Sequence, residues 1–361
     1  MLDLNIVSVP ERFRTHPLFA APIRGMNFGF LAKRGYYFRP DILSQPEKMA
    51  EMGVNWVTVN MSFCQTNFFS RKVFLDFSWS TGELELAEIV RRLHDAGIHV
   101  LFKPCLTSLD GAWMGSVAFP ECPQIEGIDN RYWDEWFASF LEAETYFADL
   151  AARTEMDAMI IGAEYFGTEG QEDGWRRVIE AVRSRYEGPI TYEFTYASRH
   201  AYPLNWLEEM DFLAYSYYPP AAPGEPTEEN ARLCPDYTAG DMESYLLSRR
   251  ATVEGISARF GKKPVVFTEF GIRSARGCIL QPYNFQWETP YDGAAQANYL
   301  QAALRVFSPL PEWMGLFWWK WDETQYRPHY HSQPGVDKGF TLQGKPAEAV
   351  WRSWTKGGEN L

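Results

Sequence analysis

Two glutamates are marked out by where they fall. Glu164 follows the apolar run Met159-Ile-Ile-Gly162 after Ala163, and Glu269 directly follows Val265-Val-Phe-Thr268. A carboxylate at the C-terminal end of a buried strand opens onto the face where barrel enzymes build their active sites. The plainer reading of either residue alone is a helix cap or a partner for a neighbouring arginine. Two of them on separate strands match the pair that glycoside hydrolysis requires. One carboxyl group, held protonated by its surroundings, donates to the leaving oxygen while the other attacks the anomeric carbon, and a spacing of ~5–5.5 Å gives net retention.

The elements that must hold this pair are legible as eight short apolar runs. They cover residues 23–28, 53–60, 98–103, 156–162, 189–194, 210–217, 264–268 and 314–318. Amphipathic stretches lie between several of them: 83–96, 133–154 and 175–186 carry apolar residues at helical spacing. Near-continuous apolar strands separated by helices describe a parallel sheet buried on both faces. The expected fold class is α/β, a (β/α)₈ TIM barrel in a single domain over residues 21–361, preceded by a lead-in segment over 1–20. Counted this way, Glu164 belongs to strand four and Glu269 to strand seven. A doubly wound open sheet would carry a glycine-rich phosphate loop after its first strand, and Gly25-Met-Asn-Phe-Gly29 does not have that form. Pro104 is expected to close strand three. Long connections over 105–130, 219–243 and 272–292 all follow strands, so they fall on the active-site face.

Composition narrows the partners. The 361 residues carry 34 Lys plus Arg against 47 Asp plus Glu, a formal net charge of −13, which argues against nucleic acid or an anionic membrane. No apolar run is long enough to span a bilayer, and the N-terminus does not read as a signal peptide, so a cytoplasmic location is expected. Five scattered cysteines form no metal-binding pattern, and no cofactor is expected. Aromatic residues make up 16% of the chain, including 14 Trp, more than a core of this size requires. Some of them are therefore expected to meet a ligand.

Ordered blocks along the chain then carry a family resemblance. These are Asn55-Trp-Val with Gln65, Leu101-Phe-Lys-Pro104 with Asp110-Gly-Ala-Trp-Met-Gly115, and Ile161-Gly-Ala-Glu164 with Trp175-Arg176. Thr191-Tyr192, Tyr217-Tyr-Pro219, Phe267-Thr-Glu-Phe-Gly271 with Arg273-Ser274, Gly315-Leu-Phe-Trp-Trp-Lys-Trp321 and Gly344-Lys-Pro-Ala347 follow. From about Gly25 to Trp354 the chain resembles glycoside hydrolase family 113, the β-mannanase family in a clan of retaining barrel enzymes. The resemblance implies Glu164 as acid/base and Glu269 as nucleophile, the pair already selected. It also suggests that Tyr217 hydrogen-bonds the nucleophile and that Trp319 floors the sugar site, with Trp321 on the same parity. Trp113 is a candidate sugar platform. Lys103 either reaches a sugar hydroxyl or a carboxylate in the site, or forms a structural ion pair.

Two departures matter. Most of the clan places Asn before the acid/base, and here that position is Ala163. Glu193 stands on strand five where a small or neutral residue is usual; it either adds a third carboxylate to the cleft or faces the helices in an ion pair. The resulting expectation is a retaining hydrolase of β-1,4-linked mannose-containing oligo- or polysaccharides. Gluco- or N-acetylglucosamine-configured substrates are the alternative, and a non-catalytic sugar-binding barrel is the rival from another class. A metal-dependent hydrolase has only His329 and His331 in its favour, in a polar loop beyond strand eight.

Overall fold

The computed structural model describes residues 7–120, 131–322 and 337–357. Eight strands form one closed parallel barrel in chain order, with helices between them: β1 (Ile23–Phe28), β2 (Trp56–Gln65), β3 (His99–Ser108), β4 (Ala158–Ala163), β5 (Ile190–Phe194), β6 (Leu213–Ser216), β7 (Val265–Phe270) and β8 (Trp313–Trp318). Each run expected from the sequence overlaps one strand. β3 differs at its end, since it continues through Pro104 to Ser108. Proline lacks the N–H a ladder needs, and Tyr165 stands in: its hydroxyl donates to the Pro104 carbonyl (3.3 Å) and accepts from the Leu106 N–H (3.1 Å).

The chain forms two compact units, residues 29–46 with 58–215, and residues 1–28 with 47–57 and 216–361. In the first, β3 to β6 pair in parallel, and the helices α1 (Glu83–Asp95), α2 (Tyr132–Arg153) and α3 (Glu172–Arg183) bury their apolar stripes. Their contact layer is aromatic: Trp175 of α3 stacks on Trp206 at 4.8 Å and meets Tyr192 of β5 edge-on, while Phe147 of α2 meets Phe102 of β3. Gly162 is required there, because a Cβ would come within 2.7 Å of the Trp175 ring. Much of the aromatic excess is spent on this packing, each ring burying a large apolar area.

In the second unit β8 lies between β1 and β7. Helices α4 (Ala239–Leu246), α5 (Arg250–Arg259), α6 (Gly293–Phe307) and α7 (Pro346–Thr355) belong to it, and α6 packs on both α4 and α7. The β7 residues Phe267 and Phe270 turn outward onto Phe307 and Tyr299 of α6. That parity leaves Glu269 on a different course from its apolar neighbours.

Candidate active site

In the first unit, β4 carries one more residue than β5 between the pairs Ile160–Thr191 and Ala163–Glu193. Such a bulge bends the strand and re-aims the next side chain. Glu164 follows at once with φ +60°, a left-handed conformation that costs a non-glycine residue about 1–3 kcal/mol. Its N–H is tied to the Glu193 carbonyl at 2.9 Å. Its carboxylate, half-buried, accepts the indole N–H of Trp113 at 3.1 Å. Trp113 lies on the connection after β3, stacked on Phe166 and 45% exposed. Its ring rests over Gly115, where a Cβ would meet it at 2.3 Å, so the glycine is needed for the indole to lie down. The sequence placed Trp113 as a sugar platform; the structure adds its direct bond to Glu164.

Lys103 and Glu193 answer one another. Both point inside the barrel, since the alternating neighbours Phe102, Tyr192 and Phe194 pack outward or on each other's side of the wall. The Lys103 ammonium donates to both Glu193 oxygens, at 2.7 and 2.9 Å, with side chains 2% and 0% exposed. Side chains from alternate strands share a layer inside such barrels, which is how β3 reaches β5. The sequence left Glu193 open between a cleft carboxylate and an outward ion pair. It is inward and ion-paired.

A further carboxyl was missed. Glu169, in the turn after Glu164, is buried; its Oε1 accepts from the Tyr192 and Ser198 hydroxyls (2.8 Å each) while Oε2 has no partner. Burial pushes it up to about 7, against the pull of those hydroxyls, and the Glu164 charge adds to the rise. Only its spacing from Glu164 could have flagged it.

In the second unit β7 repeats the device of β4. Between Phe267 and Phe270 it carries one more residue than β8 between Leu316 and Trp318, and Glu269 sits in that bulge. It therefore lies within the strand rather than after it. The carbonyls of the bulge are all used: the Asn27 amide donates to Thr268 (3.0 Å), Tyr217 N–H to Glu269 (2.9 Å) and Trp319 N–H to Phe270 (2.8 Å). The hydroxyl that meets the Glu269 carboxylate is Tyr218's, at 2.9 Å. Tyr217, expected in that role, turns its ring onto Phe267 and Phe307. The alternation of β6 explains the difference of one residue, because Tyr217 shares the parity of the buried Tyr215. Trp319 is half-buried and Trp321 buried, its N–H bonded to the Asn27 carbonyl. Trp318 faces outward, donating to Phe340. His329 and His331 lie outside the described residues.

The family model of glycoside hydrolase family 113 matches residues 26–345. The chain belongs to glycoside hydrolase family 113. It is thus a glycoside hydrolase. Among curated proteins none matches it. Among solved structures, the family 113 β-mannanase AaManA from Alicyclobacillus acidocaldarius, in complex with ManMIm, superposes with a TM-score of 0.77 at 23% identity, covering 94% of this chain and 98% of that one. A second family 113 β-1,4-mannanase gives 0.74 at 23%, covering 93% and 99%. Fungal β-1,4-galactanases share the barrel more distantly, at 0.56 and 15%, covering 92% and 99%. No helix among the described residues of this family 113 enzyme is long and apolar enough to cross a membrane.

Proposed function

We propose that this enzyme cleaves β-1,4-linked mannose-containing chains with retention, Glu269 attacking the anomeric carbon and Glu164 serving first as acid and then as base. The observation that carries the reading is the shared construction of the two positions. Each carboxylate sits at a one-residue bulge at the C-terminal end of its strand, the end where barrel enzymes assemble their chemistry. Tyr218 donates to the Glu269 carboxylate and aims it; the Trp113 indole donates to Glu164. A mannose-containing substrate is favoured because the family 113 structures it resembles are named β-mannanases. Lys103 and Glu193, ion-paired inside the first unit, and Trp319 and Trp321 after β8 are the further residues assigned to sugar binding. Residues 21–361 act as one catalytic barrel after the lead-in segment 1–20. The buried free thiols Cys64, Cys105, Cys234 and Cys278 favour a reducing, cytoplasmic location.

Product analysis on mannohexaose and cellohexaose tests the substrate, with mannohexaose cleaved and cellohexaose spared. An activated 2-fluoro-mannoside must label Glu269; an active preparation labelled elsewhere, or not at all, refutes the covalent step.

A further inference from the structure

The connection after β2 presents two phenyl rings that the fold itself does not use. Phe68 and Phe69 are 37% and 54% exposed, edge to face with centroids 4.9 Å apart. They ride on a tongue closed at its base by paired backbone bonds between Cys64 and Phe74, 2.7 and 2.8 Å. The tip is fixed as well. Asn67 Oδ1 accepts the Phe69 N–H (3.2 Å) and the Ser70 hydroxyl (3.1 Å), and the Ser70 N–H closes the turn on the Asn67 carbonyl (3.0 Å). An ordered, hydrogen-bonded turn that leaves two phenylalanines in water is a presentation, because nothing in folding rewards the exposure.

The tongue is strapped to the segment that carries Trp113. Phe68 N–H donates to Asp110 Oδ2 (3.4 Å) and its carbonyl accepts the Ala118 N–H (3.1 Å), so both edges of Phe68 are held by the two ends of residues 110–118. Asp110 is itself fixed by the Ser108 hydroxyl and the Ala112 N–H. Trp113, midway along that segment, is exposed and bonds Glu164. The segment that holds the backbone of Phe68 thus also carries the indole bonded to the carboxylate.

Resting on the reading of Glu164 as the proton donor, we propose that Phe68 and Phe69 form, with Trp113, an aromatic platform for the leaving-group arm of a neutral β-linked sugar chain. Pyranose rings present flat C–H faces that aromatic rings cover, and a chain of net charge −13 disfavours an acidic polysaccharide. Because the turn is rigid before binding, little ordering cost is incurred when the chain lies down. The platform makes the enzyme a cutter of long chains.

The test is the double variant Phe68→Ala/Phe69→Ala, with Phe77→Ala, another exposed aromatic of the same connection, as control. Titration calorimetry in the Glu269→Gln background is expected to show the Kd for mannohexaose rising about tenfold in the double variant, with the control unchanged. With active enzyme, the ratio of kcat/KM on mannohexaose to kcat/KM on an aryl β-mannoside should fall about tenfold as well. An unchanged Kd and ratio, or an equal loss in the Phe77→Ala control, overturns the platform. Should the parent chain hydrolyse neither substrate, the function proposed above fails, while the titration still decides whether the rings bind sugar.

Discussion

Replacing Lys103 with Met removes the cation from a carboxylate that is 0% exposed, and replacing Glu193 with Leu removes the anion from an ammonium that is 2% exposed. Both oxygens of Glu193 accept from the same ammonium, at 2.7 and 2.9 Å, so each substitution deletes two charge-assisted bonds at once. Breaking a buried pair from one side costs about 3–5 kcal/mol, chiefly the penalty of the charge left behind. Replacing both partners together, as Lys103→Met/Glu193→Leu, removes that penalty and should cost about 0–2 kcal/mol. The double variant is therefore expected to be more stable than either single one, with a coupling energy of at least about 3 kcal/mol. Urea unfolding followed by far-UV circular dichroism reads this directly, with midpoints compared at matching slopes. A single variant costing less than about 1 kcal/mol, or a double variant costing the sum of the two, would refute the reasoning. The pair would then behave as a solvated one despite its burial.

Other expectations concern single positions. Tyr218→Phe removes the hydroxyl on Glu269 and should lower kcat about ten- to a hundredfold, while Tyr217→Phe should lower kcat less; the reverse ranking would count against the geometry at β6. Glu144 of α2 is fully buried with neither oxygen hydrogen-bonded, and burial pushes its carboxyl well above the usual range. A raised carboxyl loses stability as pH climbs above its unfolded value, so Glu144→Leu should stabilise by about 1–3 kcal/mol at pH 7 and less near pH 4, read by thermal melts. Asp157 is pushed up by burial, yet its bonds from His94, His99 and the Val100 N–H outweigh that and hold it low. The hydrogen bond that His94 donates to Asp157 raises the imidazole, with burial opposing. The Asp157 part of this stability is lost as pH falls below the ordinary carboxylate range, and the His94 part as pH rises through its raised value. Asp157→Asn should therefore cost most near pH 5–6, and a flat difference across pH 4–9 would exclude the linkage.

The fold was largely legible because the barrel is written in burial. Strands covered on both faces must be largely apolar, and all eight runs are so without any tertiary information. Glu164 and Glu269 could be picked for the same reason, as carboxylates at the ends of such runs. What could not be read was parity. A run without strict alternation does not say which residues face inward, so Tyr217 was named without Tyr218 and Glu193 stayed open between two faces. Pro104 misled for a related reason: its missing N–H matters only if nothing else can bridge the ladder, and Tyr165, sixty-one positions away in sequence, does so.

The amino-acid sequence alone therefore determined the eight strand runs of the barrel and where Glu164 and Glu269 fall along them, since each depends on composition within a short window. Tertiary structure decided how those carboxylates are aimed. The extra residue in β4 exists only relative to β5, and the one in β7 only relative to β8. A bulge is a mismatch between neighbours, and neighbours are defined only once the sheet has formed. The partners that hold the acids, Trp113 on Glu164 and Tyr218 on Glu269, follow from the same assembly.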